Sequence, residues 1–216
     1  MYDIGSYVPA SDVHVSRSPM PAGFQGTSTT VARIGRVIHA WSSSPVIRDL
    51  TEHITQDADD WDTYTQAVLI FQWTQRHIGY RRDPVGVELL KEPDVILKAI
   101  QARGKAFVDC DEFVAWLGSC LQSIGIPVRA KKVSFNHRPG SYQHIYLEAH
   151  VSHGFDGQRF WLPLDPTFPG AEPGKILIPG TKVYTVDWRD REDRLALGRL
   201  ILFGVLVALG LSALKD

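Results

Sequence analysis

The segment 109–129, DCDEFVAWLGSCLQSIGIPVR, decides the fold, because it predicts one helix with clear signals at both ends. Asp109 precedes Glu112 by three residues, the spacing of a capping box, in which the two residues exchange side chain-to-backbone hydrogen bonds. Gly125 follows the last apolar position and ends the helix. Cys110 therefore occupies the first position of a helix whose apolar face packs into the core.

The apolar pattern changes from helical upstream of this segment to alternating downstream of it. Helices are predicted over 31–41, 45–56, 60–77 and 93–102, and strands over 128–135, 144–151, 159–164 and 182–186. Helices followed by an antiparallel run of strands predict an α+β fold, with N-terminal helices packed on an antiparallel β-sheet. We expect an extended arm over 1–30, one domain over 31–188 with its core at 58–170, and a C-terminal apolar helix over 189–216.

The C-terminal segment 195–214, LALGRLILFGVLVALGLSAL, has Arg199 as its only charge. Twenty mostly apolar residues are enough to cross a bilayer as a helix. An apolar helix of this length is not left in water by a soluble monomer, so the alternative is burial against another protein in an assembly. We therefore expect a membrane or a partner protein to bind residues 195–214, and an oligomer fits the second reading.

Composition excludes several classes. Of the 216 residues, 23 are Lys or Arg and 24 are Asp or Glu, so the basic excess of a nucleic-acid-binding protein is absent. Two cysteines, Cys110 and Cys120, are too few for a disulfide-built domain. The N-terminus lacks a basic region followed by an apolar run, so no cleaved signal peptide is predicted. We expect a membrane-associated protein or a virion component.

Three residues together predict thiol chemistry. Cys110 lies at a helix N-terminus, where the helix dipole favours a thiolate, although the neighbouring acidic residues oppose it. His144 lies on a following strand and Asp165 at the end of a later one. In a triad the thiolate attacks a carbonyl carbon, the imidazole moves the proton, and the carboxylate fixes the tautomer. Taken singly, each has an ordinary reading: a buried thiol, a strand histidine and a turn former.

The motifs around these residues resemble those of transglutaminase-like domains, members of the papain-like cysteine protease superfamily. The resemblance covers about residues 58–170 and includes DCDEF followed by GIPVR, HIYLE, WLPLDPT, and the upstream FQWTQRHIGY. It implies cysteine-dependent acyl transfer on a peptide or protein amide, with Cys110 as nucleophile, His144 as base and acid, and Asp165 as orienter. Val108 departs from the glycine often found in that position, and the calcium-site acidic clusters of the large animal enzymes are absent.

Further expectations concern the cleft, cofactors and biological context. Gln72 is a candidate oxyanion donor, and Trp116 a candidate cleft residue that would otherwise belong to the core. No cofactor or metal is expected, although a zinc module through His144, His150 and His153 remains an alternative. Similar compact domains occur in bacteriophage gene sets, so cell-wall peptide or a virion protein fits as substrate. The competing reading is a structural virion or membrane-assembly component with an idle triad.

Overall fold

The computed structural model describes residues 15–19, 24–84, 87–135, 142–154, 157–176 and 182–186. The chain divides into two units, Met1–Thr185 and Val186–Asp216, and the elements below belong to the first, apart from the last residue of β8. In chain order they are β1 (Val15–Pro19), α1 (Phe24–Ser42), α2 (Pro45–Thr55), α3 (Thr63–His77), β2 (Ile78–Tyr80), β3 (Val87–Lys91), α4 (Pro93–Arg103), β4 (Ala106–Val108), α5 (Cys110–Ser123), β5 (Val128–Ser134), β6 (His144–Val151), β7 (Phe160–Leu164) and β8 (Lys182–Val186).

A four-stranded sheet in the order β7-β6-β5-β8 forms one layer of the molecule. Strand β6 is antiparallel to both neighbours that flank it, with Val133 opposite His144 on one side and Leu147 opposite Leu164 on the other. The alternating pattern predicted these strands because one face of each must meet an apolar layer. The predicted α+β class, with helices and an antiparallel sheet, is confirmed.

Helix α5 is the centre of the core, because it packs against α1, α2, α3 and the sheet strand β6. Nearly every side chain from Glu112 to Leu121 is buried on it. Helix α1 approaches α5 at Gly118, where a Cβ atom would lie only 2.5 Å from Cδ1 of Ile38. The glycine therefore allows a close helix contact, and a larger residue would force the Ile38 side chain to move.

The structure differs from the sequence prediction at the N-terminus. Residues 15–19 form a strand that pairs with β3, with Val15 opposite Lys91. Helix α1 begins at Phe24, seven residues before the predicted helix, so the extended arm over 1–30 is wrong in its last part. Strands β2 and β4 were also missed; they pair in parallel, with Tyr80 opposite Val108.

The C-terminal prediction lies outside the described residues. Segment 195–214 and the boundary at 188–189 both fall beyond residue 186, where the description ends. Within the ranges that are described, none of the helices is both long enough and apolar enough to cross a bilayer.

Candidate active site

Cys110 is the first residue of α5, and the predicted capping box holds the helix start. Oδ1 of Asp109 accepts hydrogen bonds from the backbone amides of Asp111 (3.0 Å) and Glu112 (3.5 Å). The Glu112 side chain in turn accepts one from the Asp109 amide, at 2.9 Å. This cap does not use the Cys110 amide, which leaves that N–H for another acceptor, such as a developing oxyanion.

Glu112 also joins the helix start to strand β3. Its Oε1 accepts hydrogen bonds from the backbone amide of Lys91 (2.9 Å) and from Nζ of Lys91 (2.6 Å). The Glu112 side chain is 0% exposed, whereas that of Lys91 is 23% exposed. A buried carboxylate is tolerated only when donors satisfy it. Three donors from two segments therefore fix the position of the Cys110 backbone.

His144 and Asp165 form a buried pair at the end of the sheet. Nε2 of His144 lies 2.7 Å from Oδ2 of Asp165. The other carboxylate oxygen accepts hydrogen bonds from Oγ1 (2.6 Å) and the amide (3.3 Å) of Thr167, which orients the carboxylate toward the imidazole. With Nε2 donating to Asp165, Nδ1 is the nitrogen left to accept or deliver a proton. No sequence pattern predicted this role for Thr167.

The backbone of Ile145, next to His144, links the thiol to strand β6. The His150 amide donates a 2.8 Å hydrogen bond to the Pro127 carbonyl, on the β5 side of β6. Because amides alternate in direction along an antiparallel strand, the amides of the odd-numbered β6 residues, including Ile145, face β7. The β6–β7 pairing ends at Leu147, so the β7 ladder does not reach the Ile145 amide. A backbone hydrogen bond from Ile145 to Cys110 lowers the pKa of the thiol. The nucleophile candidate thus lies within hydrogen-bonding reach of the residue that follows His144.

The resting thiol is neutral at neutral pH. Burial raises the pKa of Cys110 well above its usual value, and the charges of Asp111 and then Asp109 raise it further. Sγ of Cys110 is 3.6 Å from Oδ1 of Asp111, the arrangement of a thiol donating to a carboxylate. The helix dipole, which sequence reasoning expected to favour the thiolate, is therefore outweighed by burial and the two carboxylates.

The variant Asp111→Asn is expected to lower the pKa of Cys110, because it removes a negative charge that disfavours the thiolate. The measurement is the pH dependence of alkylation by iodoacetamide, followed by intact mass, and at pH 8 the variant should react faster than the wild type. Asp57→Asn is the matched control, since Asp57 is an exposed acid in the turn after α2. An unchanged pH profile in Asp111→Asn would show that the carboxylate does not act on the thiol.

Tyr80 is a further neighbour of the thiol that the sequence analysis missed. It ends β2 opposite Val108, two residues before Cys110. Partial burial raises the pKa of the phenol, a hydrogen bond with Arg82 lowers it, and a thiolate at Cys110 would raise it again. No local pattern marked Tyr80, because its approach to Cys110 depends on the parallel pairing of two three-residue strands.

Neither of the two predicted cleft residues lines an open cleft at Cys110. Trp116 is 0% exposed, and its Nε1 donates a 3.0 Å hydrogen bond to Oγ1 of Thr74, so it is a core residue and does not line an open cleft. Gln72 is exposed on α3, where its backbone carbonyl accepts a hydrogen bond from Arg76. Neither placement supplies an oxyanion donor, which leaves the Cys110 amide as the candidate.

The three histidines considered for zinc have separate neighbours. His144 is bonded to Asp165, His150 stacks on Trp161 with ring centroids 4.7 Å apart, and His153 lies against Tyr64 at 3.8 Å. Among the residues the structure describes, the group that brings three potential metal ligands within 4.8 Å of one another is Asp109, Cys110 and Asp111. Since Asp109 caps the helix, that arrangement is explained without an ion.

Comparisons with known proteins give distant structural neighbours. No protein-family model and no curated protein sequence matches the chain. A putative protease from Parabacteroides distasonis is 14% identical, with a TM-score of 0.40 over 61% of this chain and 26% of that one. A putative cysteine protease from Cytophaga hutchinsonii is 15% identical, with a TM-score of 0.36 over 65% of this chain and 50% of that one. The chain thus covers between about a quarter and a half of the lengths of these neighbours.

Proposed function

We propose that this protein is a cysteine-dependent amidase, peptidase or transamidase of the transglutaminase-like, papain-like type, acting on a peptide or protein. The observation that carries the proposal is the buried 2.7 Å contact between His144 and Asp165, next to the Ile145 amide that reaches Cys110. A histidine held by a carboxylate beside a thiol at a helix N-terminus is the arrangement that nucleophilic acyl transfer requires.

In this mechanism His144 removes the thiol proton as Sγ attacks the carbonyl carbon, because the resting thiol is neutral. Asp165 holds Nε2–H, so Nδ1 is the base. The Cys110 amide, together with the positive end of α5, stabilises the oxyanion of the tetrahedral intermediate. His144 then gives the proton to the departing amine, and water or a second amine releases the acyl group from Cys110.

The second candidate is a structural protein that keeps this fold with an idle triad. The specific observation in its favour is the raised pKa of Cys110, which Asp111 and Asp109 increase beyond the effect of burial. With two carboxylates beside the thiol, removing its proton costs more free energy than in a thiolate–imidazolium pair. In this reading residues 195–214 bind a membrane or an assembly partner, and the protein is a structural component of a virion or of a membrane assembly.

The deciding experiment exposes a peptide mixture from denatured proteins to the purified chain and maps new termini by mass spectrometry. A primary amine in a parallel sample separates transfer from hydrolysis. Products that disappear in Cys110→Ala would support the enzyme. Products that persist in that variant, or none with the wild type, would favour the structural reading.

A further inference from the structure

Aromatic rings surround the imidazole of His144. The ring of Phe135 is nearly parallel to it, at 15° and a centroid distance of 6.4 Å. Phe168 presents its ring at 67° and 5.7 Å, and Tyr146 lies at 27° and 6.4 Å. None of these rings takes part in the proposed proton transfers, although all three lie beside the group that performs them.

The three rings differ in how far they are exposed to solvent. Tyr146, two residues along β6 from His144, is buried, Phe168 is half-buried, and Phe135 is 43% exposed. The backbone at Phe135 is tied to the start of β6, because the Phe135 amide donates a 2.9 Å hydrogen bond to Oε1 of Gln143, the residue before His144. An exposed aromatic ring beside a catalytic candidate provides apolar surface for a ligand.

The chemistry of the proposed reaction says which part of a substrate meets these rings. The imidazole that protonates the departing amine must come within hydrogen-bonding distance of that nitrogen. The group attached to the nitrogen is therefore next to His144, while the acyl group remains on Cys110. We infer that Phe135 and Phe168 form an apolar subsite for the side chain on the leaving-amine side of the scissile amide.

This inference rests on the proposed function and concerns only one side of the cleaved bond. A bound apolar side chain would cover the exposed part of Phe135 and gain the contact that water cannot supply. A charged side chain in the same place would lose hydration against two phenylalanine rings. The expected preference is about tenfold for aromatic and aliphatic residues over acidic ones, at the lower end of the discrimination that apolar pockets give.

The test compares the residues on both sides of each bond cleaved in the peptide mixture, for the wild type, Phe135→Ala and Phe160→Ala. Phe160 is the matched control, since it is 38% exposed but lies opposite Val151, at the end of β6 away from His144. The wild type and Phe160→Ala should favour apolar residues on the leaving-amine side. Phe135→Ala should lose most of this preference, with the acyl-side preference unchanged.

Other results would overturn the inference in distinguishable ways. Cleavage without an apolar preference on the leaving side, or with one that survives in Phe135→Ala, would remove the subsite and leave the proposed function standing. Loss of the preference in Phe160→Ala as well would show a general effect on the fold and contradict a local subsite. Absence of any cleavage by the wild type would overturn both the proposed function and the subsite that rests on it.

Discussion

His144→Ala is expected to lower amide turnover by roughly 10⁴-fold, at the upper end of what general acid–base catalysis contributes. The effect is large because the thiol is neutral at rest, so the imidazole must remove its proton as well as supply one to the leaving amine. The buried position of His144, which is 8% exposed, leaves little room for water to replace it. The measurement is the single-turnover rate on any peptide found to be cleaved, at saturating enzyme.

Two further variants make this result specific. His153→Ala removes a histidine whose ring lies against Tyr64, and this variant should keep full activity. Asp165→Asn keeps the shape of the side chain but leaves one acceptor oxygen where His144 and the Thr167 amide use two. With that oxygen on Thr167, the amide NH₂ faces Nε2 and forces the other imidazole tautomer, so turnover should fall by up to about 10⁴-fold. Turnover in His144→Ala within tenfold of the wild type would contradict the proposed mechanism.

Glu112→Ala is expected to have the largest effect on stability, lowering the free energy of unfolding by about 3 kcal/mol, the lower end of the range for breaking a buried ion pair. The lower end applies because Lys91 is 23% exposed and can turn toward water, whereas the Asp109 amide stays buried without its acceptor. For a chain of this size the midpoint of thermal unfolding should fall by roughly 6–12 °C.

The matched control is Glu52→Ala. Glu52 forms a 2.7 Å pair with Arg48 on α2, but both side chains are more than half exposed. Exposed pairs of this kind contribute less than about 1 kcal/mol, so the melting temperature should hardly change. If Glu112→Ala and Glu52→Ala lowered the melting temperature equally, the buried network would not be what holds the start of α5.

The elements that sequence predicts best are those with local signals. The start of α5 is indicated by Asp109 and Glu112, which lie only three positions apart. Both ends of β6, His144 and Val151, match the predicted strand. The proximity of His144 to Asp165 followed from the order of the strands, and Asp165 precedes a proline that ends the β7 pairing. The catalytic roles of these residues stay predictions.

The features that sequence did not predict depend on distant partners. Val15 pairs with Lys91, 76 residues further along the chain, so no local pattern in either strand indicates its partner. The start of α1, FQGTSTT, is rich in residues of low helix propensity and shows no apolar period. For the raised pKa of Cys110 the sequence indicated the opposing carboxylates but not the larger effect of burial, because the position of a residue in a helix does not reveal how much protein surrounds its partly exposed thiol.

The contact between Gly118 and Ile38 also constrains how this protein can diverge. Because a Cβ atom at position 118 would collide with the Ile38 side chain, Gly118 cannot be replaced unless position 38 also changes or its side chain moves. A homologue with alanine or serine in place of Gly118 should have a smaller residue in place of Ile38, and one with a bulkier residue there should retain glycine. Paired changes at these two positions would therefore mark descent with the α1–α5 packing preserved, even where the thiol has been lost.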